Sequence, residues 1–160
     1  MEIYVPNKRI SKSALTVWKI TGSIHSLCIW VLSIIGTYLF IKYDWNRWFI
    51  VLAILIAFLY SVLFIFIIPN IRWKRWRYEI REKEIELQHG VFIIKRTLVP
   101  MIRVQHVDTV QGPLLRKYRL ATITISTAAT VHHIPTIDVI EAETVRQSIS
   151  ALARVDEEDV

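Results

Sequence analysis

His106 and Asp108 stand two positions apart in a stretch of alternating character, which places both side chains on one face of a strand. An imidazole hydrogen-bonded to a carboxylate is the arrangement a general base needs. No serine or cysteine nucleophile, carboxylate cluster or completed triad accompanies the pair, so it reads as a structural histidine with its partner. The adjacent His132 and His133 alternate across a strand and cannot chelate one metal together. His25 lies within an apolar run, where an ionisable group is uncommon and often functional. Its simpler role is to reach the headgroups or a neighbouring helix. Four glycines in 160 residues exclude a Gly-rich nucleotide loop. The lone cysteine, Cys28, excludes an internal disulfide framework and a Cys-based zinc site, which fits a cytosolic rather than a secreted domain. These residues predict a protein that is not an enzyme and carries no metal or cofactor.

The other chemically distinctive residues are cationic. Arg72, Trp73, Lys74, Arg75, Trp76 and Arg77 interleave positive charge with aromatic rings. Charge with stacking suits nucleic acid, charge alone suits anionic lipid, and both are also found in a plain stop-transfer flank. These residues emerge directly from an apolar segment, which argues against nucleic acid and leaves lipid contact and a stop-transfer flank open together. Arg116, Lys117 and Arg119 form a second basic group, which is either solvated loop charge or, together with Lys95, Arg96 and Arg103, a further positive patch suited to a membrane phosphate or an acidic partner.

The elements that must hold these residues begin in the membrane. Residues 20–41 contain no charged side chain, too long a run for a signal-peptide core, and residues 49–68 form a second uncharged run. Each is long enough, at roughly 30 Å, to cross a bilayer as a helix. The loop 42–48 carries Trp45 and Trp48, which suit the headgroup region. Pro69-Asn70 predicts the end of the second helix. Ahead of the first, Ile10, Ala14, Leu15 and Trp18 recur at helical spacing and predict a segment lying on the membrane surface within a basic N-terminal region, 1–19. Lys8, Arg9, Lys12 and Lys19 precede the first helix, and Arg72, Lys74, Arg75 and Arg77 follow the second. The positive-inside bias predicts a multi-pass membrane protein with both termini cytoplasmic. Small residues mark the faces expected to pack: Gly22, Ser26, Ser33 and Gly36 on the first helix, and Ala53, Ala57 and Ser61 on the second. They predict a helical hairpin, or packing of the same faces on another subunit.

From Arg72 the pattern changes to period two, through Trp76, Tyr78 and Ile80, Ile85 and Leu87, a run over 91–98, then Ile102, Val104 and His106, and later Leu120–Thr127 and Val131–Ile134. Asp138 with Glu141 resembles a capping box, after which Val139, Ala142, Val145, Ile149 and Leu152 trace one helical stripe. The expected fold is a two-helix transmembrane hairpin followed by an all-β barrel, 72–154, capped by a C-terminal α-helix, with an acidic tail over 155–160.

The run Arg96-Thr97-Leu98-Val99-Pro100-Met101-Ile102-Arg103-Val104-Gln105-His106-Val107 resembles the R-x-x-x-P-x-x-R-I-Q-x-V core of bacterial pleckstrin-homology-like domains of the second type. Gly112-Pro113-Leu114-Leu115-Arg116-Lys117-Tyr118-Arg119-Leu120 resembles their G-P-L-Q-R-x-F-G-L segment, with Tyr118-Arg119 in place of Phe-Gly, and Met101 stands where an aromatic is common. Ile123-Thr124-Ile125-Ser126-Thr127-Ala128 resembles the strand that ends in T-A. With its two-helix anchor the chain is similar to the small YdbS-like membrane proteins of Gram-positive bacteria. The resemblance implies a pleckstrin-homology-like barrel without established enzymatic activity, often found beside a larger relative carrying several such domains. The expected role is an assembly subunit, as a homo-oligomer or in a complex with such a multi-domain relative. The alternative is a reader of anionic membrane lipids.

Overall fold

The computed structural model describes residues 5–158, with side chains through residue 154; the expected acidic tail, 155–160, therefore lies outside the described side chains. Internal contacts divide the chain into two units, one of residues 15–71 and one joining residues 1–14 to 72–160.

The first unit is helical. Helix α1 spans Ser13–Lys42 and α2 spans Trp48–Ser61. Phe40, Trp45 and Phe49 cluster at the intervening turn, with Trp45 stacked on Phe40 at 5.4 Å between ring centroids. After α2 the chain winds into a π-helical turn, Val62–Ile67, and continues as α3, Ile68–Arg75. Pro69 does not end the helix. Proline removes one amide donor and crowds the carbonyl four residues back, and the wider π turn immediately before it absorbs that conflict, with the Ile68 amide reaching back to Leu63. The continuous helical segment Trp48–Arg75 and helix Ser13–Lys42 are both long and apolar enough to cross a membrane.

The second unit contains seven strands among the described residues. One antiparallel sheet has the order β1 (Lys8–Arg9), β2 (Arg77–Ile80), β3 (Glu84–His89), β4 (Lys95–Pro100). The other has the order β5 (Val104–Val110), β6 (Leu120–Thr127), β7 (Val131–Asp138). A short helix α4, Pro113–Lys117, joins β5 to β6, and α5, Val139–Glu158, closes the unit against β5, β6 and β7. The core is aliphatic: Ile85, Leu120, Ile123, Ile125, Ile134 and Ile137 are buried with Ala142, Val145 and Ile149 of the α5 stripe. Fully buried Tyr78 adds a deep polar link, its hydroxyl donating to Glu141 Oε1 at 2.8 Å. Burial first, then that bond and the charge of Glu141, push the phenol pKa far up, so Tyr78 stays a donor throughout the physiological range.

Several local expectations are corrected. The N-terminal segment is helical only from Ser13; ahead of it Lys8 and Arg9 pair with Tyr78 and Arg77 and add a short strand to the sheet, with Ile10 buried beside it. Residues 72–75 are helical, so the juxtamembrane basic run is not a strand until Arg77. The run 91–98 splits: pairing begins only at Lys95, and Phe92, Ile93 and Ile94 form an exposed turn. A bulge between Val104 and His106 shifts the alternation by one, turning His106 outward where the regular pattern points inward. Asp138 caps α5 by accepting from the Ile140 amide at 3.0 Å, but Glu141 serves Tyr78 instead of completing a reciprocal box. The helix then runs on to Glu158, beyond the expected boundary at 154.

Arg119 stands at φ 53° between α4 and β6, in the left-handed region, and its carbonyl accepts from the Val139 amide. This is the position where the resembling segments carry glycine. A side chain there costs about 1 kcal/mol. Arg119→Gly is therefore expected to stabilise the β unit by about that amount, seen as a raised unfolding temperature in detergent.

Candidate functional site

The structure brings some of the small residues of α1 and α2 together. Gly22 is buried, and a Cβ built there would stand 2.5 Å from the carbonyl oxygen of Phe64 in the π turn. Ser26 and Ser61 share a hydrogen bond across the helices, Trp30 Nε1 donates to Ser61 Oγ at 3.0 Å, and Ser61 Oγ lies 2.8 Å from the Ala57 carbonyl. Ala57 is buried beside them. Ser33, Gly36 and Ala53 are half-buried, and the nearest atom to a Cβ at Gly36 is the ring edge of Phe40, 4.0 Å away. His25 and Cys28 lie on the exposed side of α1.

The basic-aromatic run separates by role. Trp73 Nε1 donates to the Ser11 carbonyl at 3.1 Å, with Arg9 over its ring, and Arg77 reaches the Pro6 carbonyl. Trp76 is buried and stacks on His89, centroids 5.7 Å apart and rings 19° from parallel. Arg75 donates through Nη1 to the Val91 carbonyl, holding the exposed turn after β3. Lys74 is exposed. Arg116, Lys117 and Arg119 are exposed around α4, away from the site formed by Arg72.

That site is a cleft of about 370 Å³ lined by Arg72, Trp76, His89, Lys95, His132 and His133, with Leu87, Thr97, Thr130, Val131 and Pro135 completing it. It contains no carboxylate among its lining residues. Burial lowers the His89 pKa, and the positive charges of Lys95, Arg72 and His132 lower it further. Burial likewise lowers that of His132, with Lys95 and His133 adding to the effect. Burial first, and then the neighbouring positive charges, hold both imidazoles toward their neutral form. His133 Nδ1 sits 3.2 Å from Thr124 Oγ1 on the paired strand. Sequence spacing could not assemble this cleft, because its members come from α3, β3, β4 and β7. Among the described residues no three His, Cys, Asp or Glu side chains converge as metal ligands.

A second cleft, about 540 Å³, runs along the open side of β4 and is lined by residues 97–100, Ile102, Arg103, Gln105, residues 127–130 and His132. Among the described residues β4 pairs only with β3, which leaves its other edge open. Leu98 and Ile102 are each 53% exposed beside it. His106 and Asp108 meet at 3.0 Å, but at 70% and 51% side-chain exposure they form a surface pair, not a sheltered acid–base site.

Comparison with known proteins agrees with this architecture. The bacterial PH domain family profile matches residues 20–153. The chain belongs to the bacterial PH domain family. It is 47% identical to the UPF0699 transmembrane protein YdbS of Bacillus subtilis (strain 168) over 155 residues, covering 97% of this chain and 98% of that protein. It is also 27% identical over 95 residues to the UPF0699 transmembrane protein YdbT of the same organism, a match covering 56% of this chain and 19% of the longer protein. No solved structure matches. The family member described here is thus a transmembrane protein with a small β unit, and the match to YdbT extends the similarity to a much longer transmembrane protein.

Proposed function

We infer that this bacterial PH domain protein is a non-catalytic assembly subunit of the bacterial cell membrane, with both termini cytoplasmic. The observation that carries this reading is the open β4 edge beside an apolar cleft, with Leu98 and Ile102 half-exposed at its rim. An unpaired edge offers a ladder of backbone donors and acceptors to another strand, and alternate side chains select the partner. The occupant that fits is the β unit of a second copy, or of a longer relative containing a similar stretch. The partial match to YdbT supports such a relative as a class. The small-residue faces of α1 and α2 are satisfied within the hairpin at Gly22, Ser26, Ala57 and Ser61, so association falls to the β unit. A double Leu98→Glu, Ile102→Glu variant places two carboxylates on the docking rim without touching the buried core. It is expected to weaken association at least about 100-fold, the scale of desolvating unpaired charge at an interface, read as the mass of the full chain in mild detergent.

A further inference from the structure

We propose that the cleft between α3, β3, β4 and β7 binds the phosphate of an anionic phospholipid headgroup, with the Phe92–Ile94 turn entering the lipid beside it. This goes beyond the assembly reading: Thr97, Thr130 and His132 line both clefts, but Leu98 and Ile102, on which that reading rests, take no part here. Four strands and helices deliver Arg72, His89, Lys95, His132 and His133 to one concave surface with no acid among the lining groups. A guanidinium, an ammonium and imidazoles that can each donate form a set matched to phosphate oxygens.

Two neighbouring features select a lipid as the source of that phosphate. Arg72 belongs to the same uninterrupted helical segment, Trp48–Arg75, that is apolar enough to span a membrane, so its guanidinium emerges where headgroups lie. His89 and Lys95 are also paired across the base of the turn between β3 and β4. From that base Phe92 and Ile93 project with 86% and 84% of their surface exposed, and Arg75 of the helix holds the turn through the Val91 carbonyl. Exposed apolar residues beside a cationic cleft match the bilayer interface, where tails and phosphates are adjacent.

The cleft also makes binding sensitive to pH. The groups facing His89 and His132 are Arg72 from α3, Lys95 from β4 and His133 from β7, all of one sign when charged. A bound phosphate brings negative charge beside the two imidazoles and favours their imidazolium forms. Affinity should therefore rise as pH falls. Without the anion the sign reverses for folding: histidines with depressed folded pKa values cost stability as pH drops below their unfolded value of about 6.5.

The test uses the full chain in dodecyl maltoside micelles, titrated with short-chain phosphatidylglycerol, short-chain phosphatidylcholine, inorganic phosphate, and chloride at matched ionic strength. The readout is the imidazole resonances of His89 and His132. Phosphatidylglycerol is expected to raise their titration midpoints by about one pH unit and to bind about tenfold more tightly at pH 5.5 than at pH 8. Lys95→Gln with His132→Gln should weaken binding at least about tenfold, read on His89; Lys95 is exposed and His132 only half-buried, so folding is retained. Phe92→Ser with Ile93→Ser should reduce lipid affinity while leaving the weaker response to inorganic phosphate unchanged. Equal shifts with chloride, or a response to inorganic phosphate with none to phosphatidylglycerol, would overturn the proposal.

Discussion

Gly90→Ala is expected to lower the stability of the β unit by about 3 kcal/mol, within the range for a residue forced into a strained backbone with a steric overlap. Gly90 opens the turn after β3 at φ 136°, a conformation that side chains rarely adopt. A methyl group there would overlap the carbonyl oxygen of Ile93 and lie 2.9 Å from its carbonyl carbon. Both obstacles are backbone, so no rotamer change relieves them. The turn must open, and with it the His89–Lys95 pairing at its base. Thermal unfolding in detergent should shift downward by on the order of 10 °C, and the response of His89 to anions should be lost with it.

Gly22→Val is the corresponding break in the membrane unit. The Cβ of any substituent would press on the Phe64 carbonyl, at 2.5 Å from its oxygen and 3.1 Å from its carbon. The π turn fixes that carbonyl in place, so the helices must separate. Separation would also remove the Ser26–Ser61 and Trp30–Ser61 hydrogen bonds, which exist only at this close approach. Loss of the packing and of these bonds together is expected to cost about 2–4 kcal/mol, measured as the temperature at which the detergent-solubilised chain precipitates. Gly36→Val is the control. It meets nothing nearer than the Phe40 ring at 4.0 Å and should leave that temperature unchanged.

Much of this architecture was legible because its signals are local. Uncharged runs mark the membrane helices, alternation marks β3 and β6, and the stripe Val139, Ala142, Val145, Ile149 marks the face of α5 turned to the core. The misread features are those decided by distant or compensating geometry. Pro69 reads as a stop because a sequence does not display the π turn that accommodates it. Lys8 and Arg9 become a strand only because Tyr78 and Arg77 offer an edge some 70 residues later. The apolar residues 92–94 read as strand because hydrophobicity does not say whether a turn is buried or turned outward. One extra residue near Gln105 reverses the facing of His106, and nothing in the local composition announces it.

The candidate sites divide in the same way. Gly22 and Gly36 were equivalent by spacing, and only the approach of Phe64 separates them. In the basic-aromatic run, Trp73, Trp76 and Arg77 hold the β unit together, while Arg72 faces a cleft whose other cations lie far along the chain. Histidines 89, 132 and 133 carried no signal of their own, since their shared surface is created by sheet closure.

The most direct test of the assembly account is the mass and composition of the tagged full chain, captured from its own membranes in mild detergent, beside the Leu98→Glu, Ile102→Glu variant. The account predicts a stoichiometric complex containing a second β unit, from another copy or from a longer relative, that is lost in the double variant. A lone species from the unaltered chain, or a complex that the two glutamates leave intact, would contradict it.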